Sequence, residues 1–484
     1  MNFTKIIQVF VPLLGIELIF MIPAMIWAMI DHDVHVQIAF IKTMIVIAVV
    51  GILFWLVSRD AENGFYAREG LVTTGMAWII MSILGCLPFY FSHEIPSFID
   101  ALFETVSGFT TTGSSILVNV EEMSRGLLYW RSFTHWLGGM GVLVFLLAIV
   151  PLSGKNEGFT LHILRAESPG PSVGKLVPRM RQTAIILYVL YFVLTVIDII
   201  LLMVGGMSLF EALCTGFGTA GTGGFGVKSD SLASYSPFIQ NVTTVFMFLF
   251  GVNFSCYYLI FINRIKDALK DEELHAYLGI IFVSILVITL NIRPLYQTTE
   301  ESLRHAAFQV GTVMSTTGYA TTDFDLWPGL SKGILMILML GGACAGSTGG
   351  GFKIARVVLL LKSLRRNIHE NLHPSEIKKI RMNGHIVDEK VLANLNGYLA
   401  AYVGIMVISF LLISIDGFSI ETNVSAVIAT LNNIGPGFAE VGATCNYSMY
   451  SAFSKCVLIF NMLAGRLELF PMIILFARTT WTRK

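Results

Sequence analysis

Four short segments of the sequence end in a glycine and carry threonine or asparagine shortly before it. Glycine readily adopts positive φ, so such segments can turn their backbone carbonyl oxygens toward one side. Inward-facing carbonyl oxygens can replace the hydration shell of a bare monovalent cation, and this is the chemistry that the segments predict. The residues concerned are Thr111, Thr112, Gly113, Ala220, Gly221, Thr222, Gly223, Thr316, Thr317, Gly318, Asn433, Ile434 and Gly435.

The four segments recur along the chain. Aligned on Gly113, Gly223, Gly318 and Gly435, they are separated by 110, 95 and 117 residues. Gly221 competes with Gly223 in the second segment. A repeat of this length holds one membrane hairpin and one re-entrant segment, and repeats of fixed period define an architecture. Non-helical backbone survives in a bilayer only where protein or water replaces lipid, so we expect the segments to surround one axis. A single segment of this kind would more simply be a helix-breaking turn.

Acidic residues precede two of the segments. Glu104 and Glu211 are predicted near the outer starts of short helices, where the positive end of the helix dipole favours a carboxylate. The opposite helix ends would face a cavity below the ring of segments and favour a cation there. Measured from these acids, the second glycine lies three residues farther along than the first, so the second segment departs from the pattern of the first.

A further glycine-rich segment, residues 341–351, lies inside a stretch that is otherwise apolar enough to cross a membrane. It contains six glycines in eleven residues, and each costs about 1 kcal/mol in a helix interior. The crossing is therefore predicted to break at mid-membrane, with Ser347 and Thr348 in a loop below the ring. A close helix crossing through small residues is the alternative. A phosphate-binding loop is excluded because no Gly-Lys-Ser/Thr follows the glycines.

Arg466 lies within the last apolar stretch, where arginine is costly and usually faces the bundle interior or a water-filled cavity. A guanidinium in a permeation path would repel cations. We therefore expect Arg466 to contact the glycine-rich segment and to help set a barrier. The alternative is a salt bridge to a buried carboxylate such as Glu468 or Asp198.

The composition of the chain identifies the environment in which these residues lie. Of its 484 residues, 55% are hydrophobic and 13% are charged, whereas a soluble domain is about 25% charged. With a mean hydropathy of +0.72, the chain is a membrane protein and not a disordered, collagenous or nucleic-acid-binding one. Its net charge is zero and its six cysteines show no paired spacing, which argues against a disulfide framework or a zinc site.

Ten apolar stretches are long enough to cross a bilayer, which takes about 20 residues. The first is too long for a secretory signal and is predicted to be a retained helix. Of the 32 lysines and arginines, 23 lie in loops assigned to one side, which predicts cytoplasmic N- and C-termini. The stretches lie near residues 6–30, 37–58, 71–93, 127–151, 184–206, 235–262, 275–292, 328–360, 391–415 and 449–477.

Together these patterns predict an all-α integral membrane protein. Two N-terminal transmembrane helices, within residues 1–70, precede four pseudo-repeated units of helix, re-entrant pore loop and helix around a central pore. The third unit also contains the glycine-rich segment and a basic cytosolic linker. The predicted units are residues 71–183, 184–274, 275–390 and 391–484.

At this point the sequence resembles the Trk/Ktr/HKT superfamily of potassium transporters, and specifically its bacterial TrkH type. The resemblance covers nearly the whole chain, and the two extra N-terminal helices fit this type better than the eight-span Ktr type. It rests on the motifs Phe109–Ser114, His135–Gly141, Gly341–Lys353, Leu431–Gly437 and Gly465–Glu468.

The resemblance implies a potassium-translocating subunit of the bacterial inner membrane, which passes potassium and rubidium. It also implies a homodimer that works with a cytosolic nucleotide-binding regulatory subunit, a separate polypeptide, and it assigns the gating role to the glycine-rich segment. No cofactor is expected, since potassium is the cargo, and no nucleic acid partner is expected. The residues assigned to gating are Gly346, Ser347, Thr348, Gly349, Lys353 and Arg466.

We therefore expect a gated, channel-like pore for potassium uptake, embedded in lipid, and not an enzyme. A potassium symporter coupled to sodium or protons is the first alternative, although such transporters often have inverted repeats whereas these four run parallel. A membrane-embedded hydrolase is the second. It would need a nucleophile and a base within hydrogen-bond reach, and no Ser, His and Asp pair at helical spacing in the predicted crossings.

Overall fold

A computed structural model describes residues 1–59, 66–139, 141, 180–376 and 378–482. Its first two helices are α1 (Phe3–Ile30) and α2 (Val34–Ser58), joined by a short turn. Side-chain oxygens of Asn2 and Asp33 cap their N-termini. Helix α1 packs against the body of the protein, whereas α2 turns most of its apolar side chains outward. The predicted N-terminal helix pair is therefore present.

The remaining helices repeat a pattern of a long helix, a short helix, a glycine segment and a second helix. The first set is α3 (Ala67–Gly85), α4 (Leu87–Phe91), α5 (Phe98–Phe109) and α6 (Arg125–Gly139). The second is α7 (Met180–Val204), α8 (Leu209–Gly221), α9 (Pro237–Phe250), α10 (Phe254–Phe261) and α11 (Ile265–Ala268).

The third set is α12 (Glu272–Ile292), α13 (Thr299–Met314), α14 (Gly329–Gly341) and α15 (Ile354–Leu372). A hairpin of β1 (Arg381–Met382) and β2 (His385–Ile386) follows. The fourth set is α16 (Glu389–Ile413), α17 (Ile420–Leu431), α18 (Ala452–Arg466), α19 (Phe470–Phe476) and α20 (Arg478–Trp481). Short 3₁₀ turns lie at Arg293–Leu295, Phe324–Leu326, Ser414–Asp416 and Ala439–Val441.

The short helices that precede the glycine segments in the four sets begin in the same way. They are α5, α8, α13 and α17. Ser97, Ser208, Thr298 and Ser419 each cap the helix by accepting a hydrogen bond from the backbone N–H three residues later, as N-cap residues typically do. These helices have 12, 13, 16 and 12 residues. At 1.5 Å per residue they are too short to cross a bilayer, so they are the predicted re-entrant half-helices.

The second helices α9, α14 and α18 also stop short of a full crossing, whereas α6 is described only as far as Gly139. The three have 14, 13 and 15 residues, or about 20 to 23 Å of helix. Six of the described helices are long and apolar enough to span a membrane, or seven if α9 and α10 count as one span. Breaks in the second helices account for most of the difference from ten predicted crossings.

The crossings predicted at residues 235–262 and 449–477 are broken helices, which the sequence analysis did not predict. Helices α9 and α10 meet at an 88° bend at residues 251–253. Helix α18 is separated from α19 by a break in which Glu468 and Leu469 have positive φ. The crossing at 328–360 breaks as predicted. The second half of the crossing at 127–151 and most of the predicted inner loop that follows it lie outside the described residues.

Candidate pore and gate

The four glycine segments share one backbone conformation. Each begins with a non-glycine residue at φ between 54° and 60° and has a glycine two positions later at φ between 77° and 100°. The residue between them donates a backbone hydrogen bond of 2.8 or 2.9 Å to the carbonyl five residues earlier. The resulting segments are Thr111–Gly113, Thr222–Gly224, Thr316–Gly318 and Asn433–Gly435.

The predicted alignment of the second segment is wrong by one residue. Gly224, not Gly223, has the positive φ that matches Gly113. The predicted filter residues Ala220 and Gly221 instead form the last two positions of α8. Glu104 and Glu211 are not equivalent reference points, since they lie seven and three residues after their capping serines. Measured from the capping serine, the glycine lies 16 residues on in the first, second and fourth segments.

Glu211 follows its cap by three residues, as Asp100 does, and accepts hydrogen bonds near the start of α8. Glu104 instead lies in the interior of α5, where the expectation of a carboxylate at the helix start is wrong. The glycine of the third segment is 20 residues from its cap, since α13 is about one turn longer.

The four segments close into a ring in chain order. A methyl group added at Gly113 would overlap the carbonyl oxygen of Gly223, and one at Gly224 would overlap that of Thr317. A methyl at Gly318 would overlap the carbonyl of Ile434 in the same way.

The fourth contact closes the circle, because a methyl at Gly435 would lie 2.7 Å from the carbonyl oxygen of Thr112. Each glycine therefore leaves room for the carbonyl of the next repeat. No side chain fits at these four positions, independently of the φ requirement.

A cavity of about 150 Å³ opens on one side of the ring and is lined by all four ring glycines. Its wall includes Arg131 and Lys228, and no carboxylate is among the described residues that line it. The ring glycines thus face a common space from which an ion could approach.

His135 explains why the second segment differs from the others. A side chain at Gly223 would overlap the imidazole of His135, so this position is glycine where the other repeats have threonine or isoleucine. The ring Nε2 accepts from the N–H of Phe225 at 3.2 Å. Nδ1 therefore carries the proton and donates to the carbonyl of Gly108 at 2.7 Å. His135 is thus a neutral brace between the first and second repeats.

A buried ion pair supports the same seam. Arg131 Nε donates to Glu104 at 2.6 Å, and both side chains are almost inaccessible to solvent. Arg131 also donates to the carbonyl of Gly226 at 3.1 Å, and Glu104 accepts from the N–H of Ile116 at 2.9 Å. Sequence reasoning missed this pair, although an arginine inside a predicted crossing was a signal for it.

The glycine-rich segment forms a loop, residues 342–353, directly beneath two of the ring segments. The N–H of Gly350 donates to Thr316 Oγ1 at 2.6 Å. A methyl at Gly349 would lie 2.7 Å from the carbonyl oxygen of Ser315, and one at Gly350 would lie 2.6 Å from that of Asn432. We call residues 342–353 the intramembrane loop.

The bend between α9 and α10 holds this loop from the side. The N–H of Cys344 donates to the carbonyl of Gly251 at 3.0 Å, and the N–H of Phe254 donates to that of Gly346 at 3.0 Å. Thr348 Oγ1 donates to the carbonyl of Phe250 at 3.2 Å. The break in the third repeat is therefore packed into the break in the second.

Arg466 connects the intramembrane loop to the first repeat. Its guanidinium donates to the carbonyl of Thr348 at 2.8 Å and to Thr111 Oγ1 at 3.1 Å. It also donates to the carbonyls of Gly138 and Gly139 at the end of α6. The alternative partner Glu468 is paired with another residue, Arg356.

The remaining gating candidates lie in or beside the intramembrane loop. Lys353 is buried, has φ 77° and donates to the carbonyl of Gly349. Ser347 Oγ donates to the carbonyl of Cys344 at 2.6 Å. These bonds fold the loop on itself, and the gating roles of its residues stay predictions.

The sequence of the chain is similar to those of known proteins. The TrkH family model, described as "Cation transport protein", matches residues 35–482. The Trk system potassium uptake protein TrkH of Escherichia coli K12 is 33% identical over 450 residues, which cover 92% of each chain. The TrkH protein of Vibrio parahaemolyticus is 31% identical over 489 residues, 99% of this chain and 100% of that one.

A solved structure has the same fold. The crystal structure of the potassium transporter TrkH from Vibrio parahaemolyticus matches with a TM-score of 0.89 at 30% sequence identity. The match covers 100% of both chains.

Proposed function

Because this chain belongs to the TrkH family of cation transport proteins, we propose that it is the pore-forming subunit of a bacterial potassium uptake system. The family is one of multi-pass membrane transporters, so the chain is a transporter and not an enzyme, and the ion is its cargo. The observation that carries the proposal is the closed ring of four glycine segments, with a cavity on one side and the intramembrane loop on the other.

The ring is the proposed selectivity filter. A potassium ion that sheds its water would be bound by carbonyl oxygens from all four repeats. Each half-helix ends just before its ring segment, so the negative ends of four helix dipoles favour a cation below the ring. Each repeat contributes one shared glycine, against two in the Thr-Val-Gly-Tyr-Gly filter of potassium channels, so we expect looser selection against sodium.

The intramembrane loop and Arg466 are the proposed gate. The loop lies against the third and fourth ring segments, while Arg466 ties it to the first. A guanidinium beneath a cation filter raises the electrostatic barrier to the ion. Uptake would follow when the loop moves away from the ring.

We further propose that the protein lies in the inner membrane with both termini in the cytoplasm. The bias of lysine and arginine toward one set of loops supports this orientation. A homodimer and a cytosolic nucleotide-binding regulatory subunit are proposed from the resemblance. The relatives are named as members of the Trk system, which agrees with a multi-subunit assembly.

The test of the filter is cation flux into liposomes that contain the purified chain, with wild type compared to Gly113→Asp. The matched control is Gly417→Asp, since Gly417 also has positive φ but nothing within 4 Å of an added Cβ. We expect potassium and rubidium flux that Gly113→Asp abolishes and Gly417→Asp preserves. If the wild-type gate stays closed, the comparison is repeated with Arg466→Ala added to each protein. Selective flux through Gly113→Asp would refute the filter.

A specific observation keeps coupling to protons as the second candidate. Glu17 and Asp198 are fully buried in membrane helices, and their carboxyl oxygens have no hydrogen-bond partner within the described part of the chain. Unpaired buried carboxyls are held neutral, so they are able to carry protons, and intramembrane acids often do.

The reversal potential separates the two candidates. The membrane potential alone contributes about 2.3 kcal/mol per charge per 100 mV, which supports about a 40-fold inward gradient at about 1.4 kcal/mol per tenfold ratio. An uncoupled pore therefore needs no second ion. We expect the current to reverse at the potassium equilibrium potential at every pH gradient. A reversal potential that moves with the pH gradient, and stops moving in Asp198→Asn, would favour the symporter.

A further inference from the structure

One carboxylate oxygen holds both ends of the intramembrane loop. Glu273 Oε1 accepts from the N–H of Ala345 at 2.6 Å and from the N–H of Ala355 at 3.0 Å. Ala345 is the fourth residue of the intramembrane loop, and Ala355 is the second residue of α15, which follows the loop. Glu273 is buried. If the Glu273 carboxylate moves away, the hydrogen bonds at both ends of the loop are lost at the same time.

The neighbouring residues of Glu273 bind the cytosolic hairpin. At the hairpin turn, Asn383 Oδ1 accepts from the N–H of Glu272 at 2.9 Å, and the N–H of Asn383 donates to Glu272 Oε1 at 2.9 Å. Asn383 Nδ2 also donates to Asp271 Oδ2 at 2.9 Å. Three hydrogen bonds from one residue thus fix the hairpin to the first turn of α12.

Helix α15, which continues from the loop, joins the same junction. Lys362 Nζ donates to Glu272 and, at 2.6 Å, to the carbonyl of Arg381 in β1. The outer side of the hairpin, including His385 and Ile386, is exposed. A force applied there reaches the residue next to Glu273 through Asn383.

We propose that Glu273 is the positioning residue that latches the intramembrane loop beneath the ring, and that the hairpin at residues 381–386 is the handle that releases it. Pulling the hairpin removes Asn383 from the first turn of α12. That turn then moves, and Glu273 leaves both loop amides together. The inference rests on the proposed gating role of the loop, and it adds where the loop is held and from which surface it is released.

In the proposed latch, Glu273 acts as a hydrogen-bond acceptor for the two loop amides. Variants that remove or keep this acceptor therefore test the proposal. Alanine at position 273 removes the acceptor, whereas glutamine retains a side-chain carbonyl oxygen at the same reach. Glu273→Gln should therefore rescue what Glu273→Ala breaks. The matched control is Glu370→Ala, because Glu370 is an exposed acid on α15 whose ion pair to Arg366 spans 3.6 Å.

The experiment measures rubidium flux into liposomes containing the full chain without any partner. Loss of two bonds to a charged group should raise the flux of Glu273→Ala about tenfold, with Glu273→Gln and Glu370→Ala within about twofold of wild type. Asn383→Ala should raise it about threefold. The double variant Glu273→Ala/Asn383→Ala should leak no more than Glu273→Ala, since coupled residues are non-additive.

Two further variants separate a released latch from a damaged protein and from a wrong gate. Gly113→Asp added to Glu273→Ala should abolish the leak, because released ions still cross the ring. A leak that survives this change overturns the proposal. If Arg466→Ala leaks and Glu273→Ala does not, the latch is wrong and the gate stands.

Two other results also overturn parts of the picture. If neither Arg466→Ala nor Glu273→Ala changes the flux, the gating role of the loop fails together with the latch. A Glu273→Gln variant that leaks as much as Glu273→Ala would overturn the latch as a hydrogen-bond device.

Discussion

The ring of glycine segments and the level directly beneath it are built on opposite plans. In the ring, four copies share the same φ pattern, the same backbone hydrogen bond and the same contact with the next copy. Beneath it, the second helices of the last three repeats break, and each break is different: a bend at 251–253, a twelve-residue loop at 342–353 and a turn at 467–469.

The difference fits the roles proposed for the two levels. An ion on an axis is bound best by equivalent ligands from all sides, so a filter would constrain the four ring segments alike. A gate needs one part that moves and other parts that hold it. In the proposed gate the third repeat is the part that moves, and it is held by the bend in the second repeat and by Arg466 of the fourth.

The largest expected effect on ion flux tests the equivalence of the ring. Gly224→Ala and Gly318→Ala each place a methyl on the carbonyl of the following repeat, so we expect each to lower potassium flux at least about 100-fold, equivalent to about 2.7 kcal/mol. Gly206→Ala, at a positive-φ glycine with open space around it, is the control in the same liposome assay. A ring in which one of the four glycines tolerates alanine would not be equivalent.

The next effect concerns stability. Arg131→Met leaves Glu104 buried without its ion-pair partner, and breaking such a pair costs about 3 to 5 kcal/mol. We expect a lower thermal unfolding midpoint in detergent, measured by tryptophan fluorescence. Arg264→Met, which removes an ion pair to Asp267 whose two side chains are well exposed, should cost about 1 kcal/mol or less. An equal loss for the two variants would mean that the buried pair does not brace the seam.

A smaller effect is expected for Arg466, which lies on the level beneath the ring. Arg466→Ala removes the bonds to the loop, to Thr111 and to the end of α6, and we expect about tenfold more basal rubidium flux. Arg466→Lys retains the charge without the forked donors and should fall between wild type and alanine. A leak in alanine with altered potassium-to-sodium preference would place Arg466 in the filter instead of the gate.

The smallest effect tests whether the N-caps of the half-helices influence the ring. Ser419→Ala removes the N-cap hydrogen bond of α17, 3.1 Å long, at a cost of about 1 kcal/mol. Differential scanning calorimetry should detect a small drop in the unfolding midpoint, while relative potassium and sodium fluxes stay unchanged. A change in selectivity would show that the cap controls the ring directly.

The sequence predicts the long helices well, because a run of about 20 apolar residues is the length that a membrane-spanning helix requires. It also predicts the break in the third repeat, where glycine density makes a continuous helix costly. The bend at 251–253 has Gly251 and the N-cap residue Asn253 as local signals, but its direction depends on packing against the intramembrane loop. Such a bend is set by tertiary contacts that a composition window does not contain.

The register of the second ring segment shows the same limit at the scale of one residue. Gly223 and Gly224 are adjacent, and the backbone assigns the positive φ to Gly224. The reason for the extra glycine is His135, which is 88 residues earlier in the chain. The spacing from Ser208 was the usable local signal, since a capping residue fixes where a half-helix starts whereas an acid within it does not.

The order in which the ring closes has a consequence for how the protein is made. The first and last repeats meet where Asn433 Nδ2 donates to Thr112 Oγ1 at 2.9 Å and Ser114 Oγ donates to the carbonyl of Gly435 at 3.1 Å. These partners are 321 residues apart. A growing chain therefore lacks one quadrant of the ring until its last repeat enters the bilayer. Synthesis that stops early leaves an incomplete ring, without the fourth set of carbonyl oxygens of the proposed filter.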